Sequence, residues 1–159
     1  MIVKTADLPK QFDRLAAGQD FGLNITFVKI AWVEDVIYVL GDYGAFNMTT
    51  QSFNEELSAR GMFDGEGFPV YCDPAGGERI QEITGGTKAN NSVESGIDFI
   101  NAKIERKQFY VCEKCTGVLS EIWDYCRDEA GQIVKVNDHF LDALRYAVFS
   151  DVQMGVILS

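Results

Sequence analysis

The run of strand-like segments between residues 15 and 40 constrains the fold of this chain more than any other feature. Leu15–Asp20, Ile25–Val33 and Val36–Leu40 are rich in aliphatic and aromatic residues, and only short turn-like segments separate them. Such runs, bounded by Gly, Asn and Asp, are typical of β-strands. Because short loops connect antiparallel neighbours, whereas parallel strands need long crossovers, these three segments predict an antiparallel meander.

After the meander, helix-like segments alternate with shorter strand-like ones. Helices are predicted over residues 50–60, 76–83, 93–107, 114–127 and 140–152, and strands over residues 68–72 and 109–112. Strands separated by helices require crossovers, which place them parallel in one sheet. We therefore predict one α/β domain over residues 15–159, with a five-stranded mixed sheet flanked by helices, preceded by a polar entering segment over residues 1–14.

The charge balance limits the partners that the chain can bind. The 159 residues are 47% hydrophobic, which is enough for a single core. Acidic residues outnumber basic ones by 24 to 14, for a net charge of -10. This charge argues against unaided binding to nucleic acid, although bound divalent cations would remove part of the objection. No apolar run approaches the roughly 20 residues that a membrane helix needs, so no membrane partner is expected.

The cysteines leave two interpretations open. Cys72, Cys112, Cys115 and Cys126 are too few and too scattered for a disulfide framework, which favours a reducing cytoplasmic setting. Cys112 and Cys115 have the spacing of half a zinc site, and the other two cysteines would have to complete it. The alternative is that all four are small core residues.

Acidic residues stand where two predicted strands end and where the last predicted helix begins. Asp20 closes the first strand and Asp73 the fourth, while Asp142 lies in the first helical turn beside Asp138 and His139. Carboxylates at the ends of adjacent strands lie about 5 Å apart. A third carboxylate, delivered by the helix, would complete an all-oxygen site suited to Mg²⁺ or Mn²⁺. The alternative is that the acids merely favour turns, and that His139 is a hydrogen-bonded structural side chain.

Three segments of the chain resemble the acidic motifs of the nuclease domain of tailed-bacteriophage terminase large subunits. They are Ala17-Gly18-Gln19-Asp20-Phe21-Gly22, Tyr71-Cys72-Asp73-Pro74-Ala75, and Asn137-Asp138-His139-Phe140-Leu141-Asp142-Ala143-Leu144-Arg145-Tyr146. The third motif is the most specific. Gln19 departs from the hydrophobic residue that usually stands at its position in the family, a difference that leaves the acid untouched.

The resemblance implies a ribonuclease H-like fold and a metal-dependent endonuclease that cuts concatemeric double-stranded viral DNA during genome packaging. It implies catalysis with two Mg²⁺ or Mn²⁺ ions, held by Asp20, Asp73 and Asp142, with the neighbouring Asp138 as a further ligand. His139 is expected to orient the attacking water or assist proton transfer. The implied partners are double-stranded DNA, an N-terminal ATPase domain of the same polypeptide, a portal protein and a small terminase subunit. The implied location is the cytoplasm of the infected bacterial host.

No phosphate-binding loop of the type Gly-x-x-x-x-Gly-Lys-Ser/Thr occurs in the chain, so we do not expect a nucleotide motor within it. By the same resemblance, residues 1–14 are expected to be a linker remnant and residues 15–159 the nuclease domain.

Further predictions concern the residues that contact the substrate and the alternative functions. Arg79, Lys88 and Arg145 are candidates for contact with the DNA backbone. Lys103, Arg106 and Lys107 are further candidates, for which a solvated helix face is the favoured interpretation. Residues 128–135 are predicted to form a hairpin near the acids, with an ordinary connecting turn as the alternative. Two alternatives to the packaging nuclease stay open: another ribonuclease H-like nuclease, such as a junction resolvase, or a non-catalytic docking module of the packaging motor.

Overall fold

A mixed β-sheet forms the centre of the fold and positions the acidic residues. The structure is a computed structural model that describes residues 1–65, 67–122, 126–127, 130, 133–134 and 138–158. The sheet strands are β1 (Ile2–Val3), β2 (Arg14–Asp20), β3 (Asn24–Val33), β4 (Val36–Phe46), β5 (Val70–Cys72), β6 (Gly86–Lys88) and β7 (Phe109–Cys112). Their order across the sheet is β1-β7-β4-β3-β2-β5-β6.

Strand directions follow the prediction from loop lengths. The pairs β2–β3 and β3–β4 are antiparallel, so the predicted meander is confirmed. The remaining neighbours are parallel, as crossovers require. In addition, β8 (Cys126–Arg127) and β9 (Ile133–Val134) pair antiparallel as a separate two-stranded sheet. This pairing is located at the hairpin predicted over residues 128–135, although most residues between the two strands lie outside the described part of the chain.

Helices cover both faces of the sheet. The α-helices are α1 (Thr50–Ala59), α2 (Val93–Glu105), α3 (Thr116–Ile122) and α4 (His139–Leu158), and 3-10 helices span Thr5–Asp7 and Pro74–Glu82. Helices α2, α3 and α4 pack on one face, around a core that includes Ala16, Val28 and Leu144. Helix α1 and the Pro74–Glu82 helix belong to the other face, where Ala17 and Phe53 are buried. Alternate residues of β2 therefore point into two different cores.

The prediction of five strands was wrong, because the described sheet has seven. The two additional strands, β1 and β6, are two and three residues long and form the edges of the sheet. Such short segments carry no alternating pattern, and their strand conformation depends on pairing with β7 and β5. The segment 1–14, predicted as a linker remnant, thus contributes one strand to the sheet.

Several boundaries also differ from the predictions. Strand β4 continues to Phe46 instead of Leu40, since pairing with β3 overrides the turn-like glycines. The helix predicted over residues 76–83 is a 3-10 helix that breaks at Gly77, where φ is +56°. The helix predicted over residues 114–127 is described as far as Ile122, and Cys126–Arg127, predicted as its last residues, form strand β8 instead.

The described cysteines are buried core residues. Cys72, Cys112 and Cys115 are free thiols, and the thiols of Cys72 and Cys115 donate to the backbone carbonyls of Val70 and Val39. No group of three or more Cys, His, Asp or Glu side chains that could hold a metal ion occurs among the described residues, and the side chain of Cys126, which the zinc interpretation needs, lies outside them. None of the helices in the described ranges is long and apolar enough to cross a membrane.

Candidate active site

Asp20 and Asp73 lie side by side at the C-terminal ends of β2 and β5, because these two strands are adjacent and parallel. Gln19 pairs with Cys72, so the next residue of each strand is one of the two acids. The backbone N–H of Asp73 donates to the Gln19 carbonyl at 3.0 Å, which extends the ladder to the acid itself. The neighbouring Asp73 carboxyl is one of the groups that raise the pKa of Asp20, after burial.

Local backbone contacts orient both carboxyls. The Phe21 N–H donates to Asp20 Oδ1 at 3.0 Å, and the Ala75 N–H donates to Asp73 Oδ1 at 3.0 Å. The second contact caps the Pro74–Glu82 helix, so the turn preference considered in the sequence is real for Asp73. Turn formation and participation in the acidic cluster are therefore combined in one residue.

Helix α4 brings His139 and Asp142 to the two strand ends. The helix crosses β2 at Gly18, where an added Cβ would overlap the backbone of Ala143 and Ala147. The Thr26 hydroxyl donates to the His139 carbonyl at 2.9 Å and fixes the start of the helix against β3. His139 Nδ1 lies 3.7 Å from Asp20 Oδ2.

Glu121 of α3 stabilises the first turn of α4 from outside the helix. The Leu141 N–H donates to Glu121 Oε1 at 3.0 Å, which satisfies one of the amides that a helix start leaves unpaired. Burial raises the pKa of Glu121 to about 7, with further contributions from the charges of Asp138 and Asp142. Within α4, the backbone carbonyl of Asp138 accepts from the Asp142 N–H at 2.8 Å.

The pKa values indicate that three carboxyls converge. Burial raises the pKa of Asp20 to about 8, followed by its hydrogen bond to Asp73 and the negative charges of Asp142 and Asp73, while the Phe21 N–H opposes the shift. Burial, and then the charges of the same three aspartates, also raise the pKa of Tyr146. The charges of Asp73 and Asp142 thus raise the pKa of Asp20, and the charges of all three aspartates raise the pKa of Tyr146.

Asp142 also makes an ion pair inside its own helix. Arg145 Nη2 donates to Asp142 Oδ1 at 3.2 Å, and the arginine side chain is only 2% exposed. This burial leaves Arg145 no surface for the predicted contact with DNA. Arg79 and Lys88 are exposed on the elements that flank Asp73, and the Arg79 guanidinium lies 4.9 Å from the centre of the Phe21 ring.

Four of the predicted site residues lie close together, and others do not. Asp20, Asp73, Asp142 and His139 come together, whereas the charge of Asp138 acts on Glu121. The prediction for Lys103 was wrong, because its side chain is buried and Nζ donates to the Asp35 carbonyl at 2.6 Å.

Sequence reasoning missed Glu121, although one signal was present. This acid lies three residues after Val118 and directly before Ile122, on the apolar side of a helix, where a buried carboxylate requires a partner.

The chemistry of this donor set fits a hard divalent cation. Carboxylate oxygens are the ligands that Mg²⁺ and Mn²⁺ prefer, and a cluster of desolvated acids is stabilised by a cation in place of a shared proton. As placed, the described side chains do not form a group of three or more that would hold an ion.

A cavity of about 1340 Å³ lies away from the acids and contains none of them. It is lined by α1 and by residues that include Phe63, Phe68 and Gly85.

Comparisons with known proteins agree with this architecture. The family described as the terminase RNaseH-like domain matches residues 79–151, a stretch that includes the third acidic motif. The terminase large subunit of Enterobacteria phage LP7 is 46% identical over 56 residues, which are 35% of this chain and 12% of that protein. The matched part is thus a small fraction of the relative's length.

Solved structures match over almost the whole chain. The large terminase of a thermophilic bacteriophage is 25% identical with a TM-score of 0.79, covering 96% of this chain and 42% of that one. The P22 large terminase nuclease domain gives 24% identity and a TM-score of 0.78, covering 96% and 87% of the two chains. The large terminase nuclease domain of bacteriophage SPP1, solved with bound Mn, gives 17% identity and a TM-score of 0.70, covering 95% and 96%.

The fold is accordingly an α/β, ribonuclease H-like nuclease fold with a mixed sheet flanked by helices. The chain matches the nuclease domain of bacteriophage terminase large subunits, and the resemblance found in its three acidic motifs is confirmed.

Proposed function

We propose that this chain is a metal-dependent endonuclease domain that cleaves concatemeric double-stranded viral DNA during genome packaging. The observation that carries the proposal is the convergence of acids from three separate elements: β2 and β5 bring Asp20 and Asp73 side by side, and His139, in the same first turn of α4 as Asp142, has its Nδ1 3.7 Å from Asp20 Oδ2. Structures of similar nuclease domains have been solved with Mn, in phage SPP1, and with magnesium, in phage G20c, which supports Mg²⁺ or Mn²⁺ as the cofactor.

The three aspartates would hold two divalent ions, with Asp20 between the other two carboxyls. Bound ions of this kind lower the pKa of an attacking water and stabilise the leaving oxygen of a phosphodiester. His139 would orient the water or accept its proton, a role supported by its 45% exposed side chain and by the 3.7 Å distance from its Nδ1 to Asp20 Oδ2. Asp142 is a better candidate than Asp138 for the third acid, because its charge acts on Asp20.

The surface beside Asp73 offers cations for the DNA backbone. Arg79 and Lys88 are exposed there, and neither forms an ion pair among the described residues. Phosphate contacts of this type position a duplex without reading its sequence, so we expect weak sequence preference.

The partners follow from the packaging role. We propose that the domain works beside an N-terminal ATPase domain of the same polypeptide, with a portal protein and a small terminase subunit, in the cytoplasm of the infected bacterial host. The large terminase of the thermophilic bacteriophage, of which this chain matches 42%, has been solved with ADP, which supports a nucleotide-binding part outside the matched region.

Cleavage of plasmid DNA with Mn²⁺ tests the function. The conservative variants Asp20→Asn, Asp73→Asn and Asp142→Asn keep the side-chain shape and remove one charge each, and we expect each to lose at least about 100-fold in rate, as misplacement of catalytic groups does. Asp7→Asn is the control, because this exposed acid lies in the 3-10 helix beside β1, at the opposite edge of the sheet. Undiminished cutting by all three variants would overturn the proposal, and a strong preference for branched over linear DNA would favour a junction resolvase.

A further inference from the structure

A buried arginine lies directly behind the acidic cluster. Arg145 is 2% exposed, projects from α4 one turn after Asp142, and donates from Nη2 to Asp142 Oδ1 at 3.2 Å. We propose that Arg145 is a positioning residue, which keeps the Asp142 carboxylate at the acidic cluster and thereby sets the metal affinity of the site. The inference rests on the proposed function, since it concerns the same site.

The guanidinium is itself fixed from several sides. Arg145 Nη1 donates to Asn91 Oδ1 at 3.3 Å, and the guanidinium carbon lies 4.9 Å from the centre of the Tyr146 ring. The aliphatic part of the side chain lies against α2 at Gly96, where an added Cβ would come within 2.6 Å of Arg145 Cγ. These contacts leave the guanidinium little freedom to move.

Burial makes the ion pair with Asp142 necessary. An arginine stays charged inside a protein, and a buried charge without an ionic partner is strongly destabilising. In the part of the chain that the structure describes, Asp142 is the acid that forms an ion pair with Arg145. The arginine therefore limits the range of orientations that the Asp142 side chain can adopt.

The outer partners of metal-binding carboxylates influence the affinity of a site. A carboxylate accepts about four hydrogen bonds through its two oxygens, so a single bond to Oδ1 orients the group and leaves capacity for a cation. Removal of such a partner typically costs about 10-fold to 100-fold in metal affinity or activity. Arg145 has this relation to Asp142, with the added feature that three contacts fix the arginine.

The positioning role and a simple charge effect predict opposite signs. Removing a cation beside an anionic site reduces repulsion of the metal, so a charge effect alone would tighten binding of Mn²⁺. Loss of orientation weakens binding. The sign of the change in affinity therefore separates the two explanations.

The test measures Mn²⁺ binding by calorimetry in the absence of DNA, together with the dependence of plasmid cleavage on Mn²⁺ concentration. We expect Arg145→Gln to weaken Mn²⁺ binding about 10-fold, and Arg145→Lys, which restores the charge without the planar fork, to recover part of the loss. Cleavage at saturating Mn²⁺ should fall less than cleavage at low Mn²⁺. Arg14→Gln is the matched control, because it removes the ion pair with Asp151 of the same helix, about 14 Å further along.

A second variant keeps the proposal testable if Arg145→Gln unfolds. Asn91 is exposed, so Asn91→Ala loosens the guanidinium without opening the core, and we expect a weakening of Mn²⁺ binding by about 2-fold to 4-fold, less than the loss of the arginine itself. Unchanged or tighter binding in Asn91→Ala and Arg145→Lys would overturn the inference. If the unaltered chain neither binds Mn²⁺ nor cuts DNA, the proposed function fails; if it does both and the variants match it, only the role of Arg145 fails.

Discussion

Substitution of Gly18 tests how the active site is assembled. Gly18 lies in β2, two residues before Asp20, at the point where α4 crosses the strand. A Cβ at this position would overlap the Ala143 carbonyl oxygen and come within 2.9 Å of both the Ala143 carbonyl carbon and the Ala147 nitrogen. All three are backbone atoms of a helix, so no side chain can move aside to make room.

The structure sets the size of the expected effect. Ordinary contact begins near 3.4 Å, so relief of the two longer contacts alone requires α4 to retreat by about 0.5 Å, and the oxygen demands more. Overpacking usually costs about 1–3 kcal/mol, and for Gly18→Ala we expect about 3 kcal/mol or more because both elements are rigid. A displacement of about 1 Å between catalytic groups can cost about 100-fold in rate, so His139 and Asp142 should lose alignment with Asp20.

The assay combines urea unfolding with plasmid cleavage at a temperature where the variant is folded. Gly67→Ala is the control, because a Cβ there would meet no atom within 4 Å. We expect the control to keep both stability and rate, and Gly18→Ala to lose both. A Gly18→Ala variant within about 0.5 kcal/mol of the unaltered chain, the range of an ordinary surface substitution, would refute the reasoning that backbone contact at Gly18 determines the position of α4.

Three further predictions concern protonation, metal binding and packing. The pKa of Glu121 is raised to about 7 in the folded state, so stability should fall as pH rises from about 4.5 to 7, and Glu121→Gln should reduce that fall by about 1–3 kcal/mol in urea unfolding without metal. The pKa of Asp20 is raised to about 8, so its contribution to stability should likewise fall as pH rises toward 8. At pH 8, Mn²⁺ at about 100 times its Kd should stabilise the chain by about 2.7 kcal/mol, an increase that Asp20→Asn abolishes. Tyr71→Phe should cost about 1–2 kcal/mol without changing the cleavage rate, because its hydroxyl donates to Asp151 at 3.0 Å inside the core, away from the acids.

A contrary result can be stated for each of these predictions. A Glu121→Gln variant with the original pH dependence would show that this carboxyl does not bind the proton in question. Equal stabilisation of the Asp20→Asn variant by Mn²⁺ would place the metal elsewhere. A Tyr71→Phe variant that folds normally but cuts slowly would extend the site toward the middle of α4.

Local patterns predicted the parts of the fold that depend on local forces. The meander follows from strand composition and loop length, and both factors act between segments that are adjacent in the chain. The positions of Asp20 and Asp73 at one edge follow from strand order and direction. The first turn of α4 carries His139 and Asp142 together because helical spacing places neighbours on one side.

These local patterns could not predict contacts between segments that are distant in the chain. The edge strands β1 and β6 are too short to show a period, and they exist through pairing with β7 and β5. Arg145 looks like a surface cation in the sequence, but the packing of α4 against α2 at Gly96 turns it inward to Asp142. Lys103 is buried for a comparable reason, since the Asp35 carbonyl accepts from its ammonium group.

The sequence by itself determined the strand-rich first half, the alternation of helices and strands, and the acids that stand where these elements end. Only the tertiary structure decided that Glu121 accepts from the first turn of α4, that the backbone of this helix contacts β2 at Gly18, and that Arg145 forms an ion pair with Asp142. The physical reason is that periodicity and turn chemistry act over a few residues, whereas burial and backbone contact join atoms of residues far apart in the chain, as between Gly18 and Ala143.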